Sequence, residues 1–565
     1  MNSENRQCQN CKQNFTIEPD DFAFYEKMKV PAPTWCPDCR LMRRLAWRNE
    51  KTFYRNNCVL CGKSVVTIYS KNKPYKIYCS SCWWSDEWDA KEFGKDFDFS
   101  RPFFEQFYEL QLSVPRVALL GKNSINSEYT NHSNNNKNCY LTVTTFDSEN
   151  VMYSGEIRHA SQDICDCYTI ENGGQKLYEC LFSNRCYRCQ YSMLLRDCTD
   201  CYYCYDCRGC SDCFLSSNLR NKKYYILNEP YTKEEYKEKM EEYKMGSFAM
   251  RSKLYDDYID LIKNRAIHRF VTIEKSNNVS GDMIFNSKNA INCFETSNLE
   301  NCKNIMVGEG IKDSRDSCWA GFKQELTYES HATIHSYNIL FSHIVYDNNH
   351  LQYCDSCHNS QNLFGCVGVK KGGYMILNKQ YTEAEYEILI EKIIEHMKKA
   401  GEYGEFFPPF MSPFGYNETV LNIHIPLTKG EALVRGYKWE DIIPGTYGKE
   451  TLNPIDIQDD IKDISESICK EALRCESCSK NYNIAFQEFQ FYQTENLPIP
   501  RNCPDCRYKI RFKLCPPWKL WHRRCMCAKN HPHLTGKCTN EFETSYAPDR
   551  PEIVYCESCY QQEVI

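Results

Sequence analysis

Tyr224-Tyr225-Ile226-Leu227-Asn228, followed by Tyr231-Thr232 and Tyr236, recurs 150 residues later as Tyr374-Met375-Ile376-Leu377-Asn378, followed by Tyr381-Thr382 and Tyr386. The match runs backwards as well. Tyr191-Ser192 falls on Phe341-Ser342, Asp197 on Asp347, and Cys204-x2-Cys207 on Cys354-x2-Cys357. The middle of the chain is therefore a duplication. In the first half, short apolar or Cys-containing runs begin near Cys139, Val151, Ile164, Leu177, Cys186, Cys201, Cys213 and Tyr224. In the second they begin near Cys293, Ile305, Cys318, Leu326, Asn338, Tyr353, Phe364 and Tyr374. Asn, Asp, Ser and Gly separate the runs, as turns require. Short strands at even spacing without helical periodicity predict a mostly β chain with a duplicated β-solenoid-like core, each coil carrying two strands in about 24 residues. Two ordinary antiparallel sandwiches are the competing reading.

Each half closes on a helix signal. Thr232-Lys233-Glu234-Glu235 and Thr382-Glu383-Ala384-Glu385 are capping boxes ahead of apolar-periodic runs. A capping helix would cover the unpaired strand edges at the end of a stack. Residues from about 401 to 470 read as a packed linker.

Outside the duplication lies a second one. Cys8-x2-Cys11 and Cys36-x2-Cys39 are matched, at an offset of 467, by Cys475-x2-Cys478 and Cys503-x2-Cys506. Phe24-Tyr25 falls on Phe491-Tyr492, and Cys36-Pro37-Asp38-Cys39-Arg40 on Cys503-Pro504-Asp505-Cys506-Arg507. Paired knuckles at this distance supply four soft thiolates, the set Zn2+ takes in closed structural sites. A further module follows each: Cys58, Cys61, Cys79 and Cys82 at one end, and Cys525, Cys538, Cys556 and Cys559 at the other. There the copies depart. An insertion carrying Cys527, His531 and His533 leaves one thiol too many, with Cys527 the substitute for Cys525. About four zinc ions are expected.

The 37 cysteines would make a disulfide framework in a secreted chain, but knuckles of this spacing are metal sites in a reducing one. Residues 1–7 hold no apolar run, so a cytoplasmic location without membrane contact is expected. A hydrophobic fraction of 42% is ample for packed cores, and a net charge of −6 gives no global attraction to nucleic acid. Cys198, Cys201, Cys204, Cys207, Cys210 and Cys213 stand at every third residue, behind Cys165, Cys167, Cys180, Cys186 and Cys189. They read as small side chains stacked inside a narrow fold, with a metal cluster or redox chemistry as alternatives.

Basic residues follow the knuckles. Arg40, Arg43, Arg44 and Arg48 come with Trp47, and Arg507, Arg511, Arg523 and Arg524 with Trp518 and Trp521. Basic side chains interleaved with aromatics suit single-stranded RNA. A solvated helix whose aromatics pack on the ribbon is the plainer reading. No phosphate loop, nucleophile elbow or zinc-hydrolase motif appears. An enzyme would have to gather His132, His159, His331, His335, His343, His350 or His358 with Asp347 or Glu329 on one face of the solenoid.

At Cys8-x2-Cys11-x3-Phe15, Phe24-Tyr25 and Cys36-Pro37-x-Cys39-Arg40, the chain resembles small bacterial zinc-ribbon domains, as does the C-terminal copy, with Tyr482 in place of the Phe. The resemblance implies zinc binding and no activity. The whole layout also resembles Cys-rich proteins common in candidate-phyla bacteria. Some of those carry an acyl-CoA transferase label, a chemistry that no residue pattern here supports. The expected order is zinc ribbons at 1–57 and 58–95, a linker at 96–120, a solenoid half at 121–230 and a helical cap at 231–270. A second half follows at 271–378, then a cap at 379–400, a linker at 401–470, and ribbons at 471–520 and 521–565. Three functions fit this order. They are a non-enzymatic zinc-binding scaffold for a macromolecule (protein or RNA), a single-stranded RNA binder acting through the ribbons, and an enzyme with a carboxylate site on the solenoid.

Overall fold

Along the duplicated middle the backbone enters the left-handed region at every third residue. Positive φ falls on Asp197, Asp200, Tyr203 and Asp206, and again on Asn218, Asn221, Tyr224 and Leu227. That conformation costs a non-glycine residue about 1 kcal/mol, least for Asn and Asp, which crowd these corners. A corner every third residue turns the chain four times in 12 residues and lays it back beside itself. Thr199, Ser211 and Lys223 stand in parallel register, as do Asn349, Gln361 and Gly373. Some passes take 13 residues, as from Val151 to Ile164 to Leu177. The expected return after about 24 residues is thus corrected to 12. Each apolar run lies between neighbouring corners, so one pass is half as long as the spacing of paired strands suggested.

The computed structural model describes residues 2–158, 160–531 and 536–565; His159 and His533, both named above, lie outside the described residues. Strand outweighs helix, 32% against 25%, and the long sheets are parallel. The chain divides into two discontinuous units. One joins Met1–Leu119 to Val271–Ile443, and the other joins Leu120–Phe270 to Pro444–Ile565. Each therefore pairs one half of the duplication with the cysteine modules from the far end of the sequence.

In the repeating backbone, amides bond to the passes on either side. Tyr187 donates to the Cys198 carbonyl at 2.9 Å and Arg188 to that of Gln175 at 3.0 Å. The inward residue's amide has another solution. Cys204 N donates to Ser192 Oγ at 3.0 Å, and that hydroxyl donates to the Gln190 carbonyl at 2.9 Å. Ser154 does the same for Cys167, and Ser342 for Cys354. Asn348 serves Ser360 with its amide group. Cys167 does it with sulfur, accepting from Cys180 N at 3.3 Å and donating to the Cys165 carbonyl at 3.3 Å. The interior thus calls for short side chains that both donate and accept.

The every-third cysteines follow this rule. Cys198, Cys201, Cys204, Cys207, Cys210 and Cys213 are buried, and each thiol donates to the carbonyl two residues back at 3.3–3.5 Å. A donating thiol holds its proton. Among the described residues, no three of these sulfurs converge as a metal set.

Both capping boxes form. Glu235 and Thr232 exchange bonds at the head of helix Lys233–Glu242, and Glu385 and Thr382 at the head of Glu383–Ala400. After the first of these, a second helix, Phe248–Asp260, runs on into a π-turn at Leu261–Arg265. Just after residue 400, Phe407 stacks on Phe107 with ring centroids 4.8 Å apart and touches Trp47 at 5.0 Å.

A hydroxyl can replace a thiol at an inward position, as Ser192 and Ser216 already show. Cys207→Ser should leave bound metal unchanged and cost no more than about 1 kcal/mol. Ser192→Ala, which strands the Cys204 amide, should cost about 1–3 kcal/mol. Denaturant titration of both, with elemental analysis, checks the pair. A metal ion lost from Cys207→Ser would contradict the hydrogen-bonding role.

Candidate metal centre

The four cysteine modules share one local build. The first knuckle sits in a tight turn. Cys8 N donates to the Gln13 carbonyl, Cys58 N to Lys63 and Cys475 N to Lys480, all at 2.8–2.9 Å. Lys12, Gly62 and Ser479 turn the chain with positive φ just after the second thiol. The second knuckle opens a helix. Cys36, Cys79, Cys503 and Cys556 are N-caps of Pro37–Leu45, Ser80–Trp84, Pro504–Phe512 and Glu557–Val564. The positive end of the helix dipole therefore faces the sulfurs and favours thiolates.

A single bond ties the knuckles together in every module. The N-cap amide donates to the first sulfur: Cys36 to Cys8, Cys79 to Cys58, Cys503 to Cys475 and Cys556 to Cys525, at 3.2–3.3 Å. Burial pushes the Cys8 and Cys58 thiols up, but amide donors outweigh it and bring both down to about 7. Four tetracysteine groups result, the sulfurs of each within 4.8 Å of one another. They are Cys8, Cys11, Cys36 and Cys39; Cys58, Cys61, Cys79 and Cys82; Cys475, Cys478, Cys503 and Cys506; and Cys525, Cys538, Cys556 and Cys559. Cys525 holds the place of Cys8 in the shared build. Cys527 falls in a separate group with His531 and Cys559. Such sets can hold metal ions.

Six of the basic residues behind the knuckles lie where a phosphate could not reach. Arg40, Arg43, Arg44, Arg48, Arg507 and Arg511 are all buried. Arg40 meets Asp316 at 2.7 Å and Glu329 at 3.2 Å; Arg44 meets Glu329 at 3.3 Å; Arg43 joins Glu329 and Glu405. In the other unit Arg507 meets Asp166 at 2.9 Å and Glu488 at 3.3 Å, and Arg511 meets Asp166 at 2.8 Å and Glu179 at 2.7 Å. Asp166 and Glu179 are the 150-offset equivalents of Asp316 and Glu329, and Arg507 and Arg511 the 467-offset equivalents of Arg40 and Arg44. The same buried network is built twice. Burial disfavours each guanidinium, yet Asp316 leaves Arg40 well above its ordinary value, and Asp166 does the same for Arg507. Burial raises Glu179 to about 7 against the pull of Arg511.

Arg48 lies against Glu50 and over the Trp319 ring at 4.3 Å. Arg523 is half-buried and donates to the Ala547 and Glu552 carbonyls, while exposed Arg524 pairs with Glu541. For Arg40, Arg43, Arg44, Arg48, Arg507 and Arg511 the expected RNA contact is corrected: the charged face that reads as solvated is buried, while Arg523 and Arg524 stay at or near the surface.

Among the described residues, the histidines of the repeating middle do not gather on Glu329 or Asp347. Glu329 is held by arginines, and exposed Asp347 meets only His335 among them, at 3.3 Å. His331 and His343 are buried with their Nδ1 atoms 2.9 Å apart, and burial lowers His343 to about 4. His358 packs on Trp83 and Tyr346, and His350 meets Asn338 at the surface. His132 is buried. Among the described residues, no helix is long and apolar enough to cross a membrane.

No family model matches the chain, and no curated protein does. One solved structure, a Desulfovibrio desulfuricans protein provisionally titled an acetyltransferase, aligns at 7% identity over 50% of this chain and 81% of its own, with a TM-score of 0.09. A likeness that weak says nothing of this chain's fold or chemistry.

Removing one partner from a buried ion pair costs about 3–5 kcal/mol, because the other charge stays buried. Asp316→Asn should lower stability by that amount and expose residues 2–57 to protease. Asp166→Asn should do the same for residues 471–520. Limited proteolysis read by mass spectrometry checks both, and equal cleavage of variant and wild type would show that the pairs do not hold the modules.

Proposed function

We propose that this protein is a zinc-binding, non-enzymatic scaffold. Its modules are zinc ribbons, its repeating middle is a pair of β-solenoids with four-sided coils, and each solenoid is clamped by the ribbons of the opposite terminus. The carrying observation is the twofold network of buried guanidiniums on the modules and buried carboxylates on the ladder. It makes the metal modules braces for the ladder. Closed sets of four thiolates, with no position left for water, suit structural zinc. Reduced thiols throughout fit a reducing compartment such as the cytoplasm.

The scaffold serves a macromolecular partner, a protein before RNA. Six of the eight arginines that favoured RNA from the sequence are enclosed, and Glu329, a carboxylate the enzyme reading would need, is bound by three of them.

Elemental analysis of the full-length reduced protein should find at least four zinc ions per chain; fewer than four overturns the reading. Cys36→Ser should lose one ion, since metal binding supplies most of the folding energy of so small a module. Residues 2–57 should become protease-sensitive while the parallel ladder stays intact. Single-stranded RNA should give no salt-dependent binding. A steep salt slope would return the RNA reading to first place.

A further inference from the structure

The fourth module carries more ligands than one closed site uses. Between Cys525 and Cys538 the chain runs through an insertion absent from its counterpart, where only two residues separate Cys58 and Cys61. The insertion is anchored at both ends. Met526 N donates to the Val554 carbonyl at 3.0 Å, and Cys538 N to the Cys527 carbonyl at 2.9 Å. The second bond fixes Cys527, fully buried, beside the tetracysteine set.

His531 then returns to it. Its Nε2 lies 3.0 Å from Cys527 Sγ, and Cys527 Sγ, His531 Nε2 and Cys559 Sγ lie within 4.8 Å of one another. On the far side of the ring His531 Nδ1 lies 3.7 Å from Glu563 Oε1, and Lys529 holds the Glu563 carboxylate. Glu563 and Cys559 lie on one helix, Glu557–Val564.

Cys559 belongs to both groups. A thiolate that binds one ion keeps lone pairs for another. We infer that the C-terminal module holds two zinc ions that share the Cys559 thiolate. The first is closed by Cys525, Cys538 and Cys556. The second is bound by Cys527 and His531 and keeps one coordination position for water or a small ligand. Three protein ligands with an open position are the arrangement of reactive zinc, where four thiolates are structural. Cys58, Cys61, Cys79 and Cys82 stand in no second group among the described residues. The plainer alternative is a bare S–H···N hydrogen bond between Cys527 and His531.

The inference rests on the four-site zinc reading, and the test separates the two. Full-length protein, His531→Ala and Cys527→Ser are loaded with zinc under reducing conditions and counted by elemental analysis. Five ions are expected in the wild type and four in either variant, with residues 521–565 still resistant to protease. Exchange for 113Cd then reads the ligands. The wild type should show one resonance at higher field than the tetrathiolate signals, as nitrogen ligation requires, coupled to one of them through the shared sulfur. Both features should vanish in His531→Ala. Four ions in all three proteins would overturn the inference and leave the four-site reading standing. Fewer than four in the wild type would overturn both. A fifth resonance without coupling would overturn the shared thiolate.

Discussion

The repeating middle depends on one recurring need: the amide of an inward residue needs an acceptor inside the fold. A backbone that turns at every third residue gives that amide a side chain to bond with rather than a neighbouring strand. The acceptor must also place its own hydrogen on a carbonyl. Serine, cysteine and asparagine meet both conditions in the space available, and Ser192, Cys167 and Asn348 each do so. Leu177 and Ile164, at other inward positions, supply apolar burial. Much of the cysteine content thus comes from hydrogen bonding in a narrow space and only part from metal chemistry.

The second constraint is electrostatic. Six of the arginines that follow the knuckles are buried, and burying a charge is unfavourable unless it is paired and hydrogen-bonded. Such pairs add little net stability, but they penalise every misplaced arrangement. A cysteine module docked one pass out of register would set arginine against a carbonyl or an apolar face. The pairs therefore act as a register device, fixing which pass each module meets. Helices at the knuckles turn one face to the metal and another to the ladder, so metal binding and docking are mechanically continuous.

Much of this was legible in the residues. The offsets of 150 and 467 expose both duplications, the knuckle spacings expose the metal sets, and Thr232 and Thr382 expose the two helix starts. The coil length was not, because runs spaced by 12 residues read equally as paired strands or as whole passes. Corners at Tyr203, Leu215 or Leu227 carry no turn signal, since hydrogen bonding between passes overrides their backbone preference. The fate of the arginines was hidden for another reason. Arg40 and Arg44, like Arg507 and Arg511, lie one helical turn apart, which suits solvent, phosphate or carboxylate alike. The deciding signal lay far away: Asp166 and Glu179 are 13 residues apart, as are Asp316 and Glu329, and both pairs obey the same offset as the rest of the ladder.

The crossed assignment of modules to ladders bears on how the chain is made. Residues within a ladder meet partners about a dozen positions away, so each half can form pass by pass as it leaves the ribosome. The modules cannot be seated so early. The first set, complete by Cys82, waits for Asp316 and Glu329, while Asp166 and Glu179 wait for Arg507 and Arg511. During translation the nascent polypeptide therefore carries cysteine modules with nothing to brace, and then a ladder with uncompensated acids. The unit that runs to Ile443 can mature once that residue has emerged, whereas the other keeps Asp166 and Glu179 uncompensated until Arg507 and Arg511 follow.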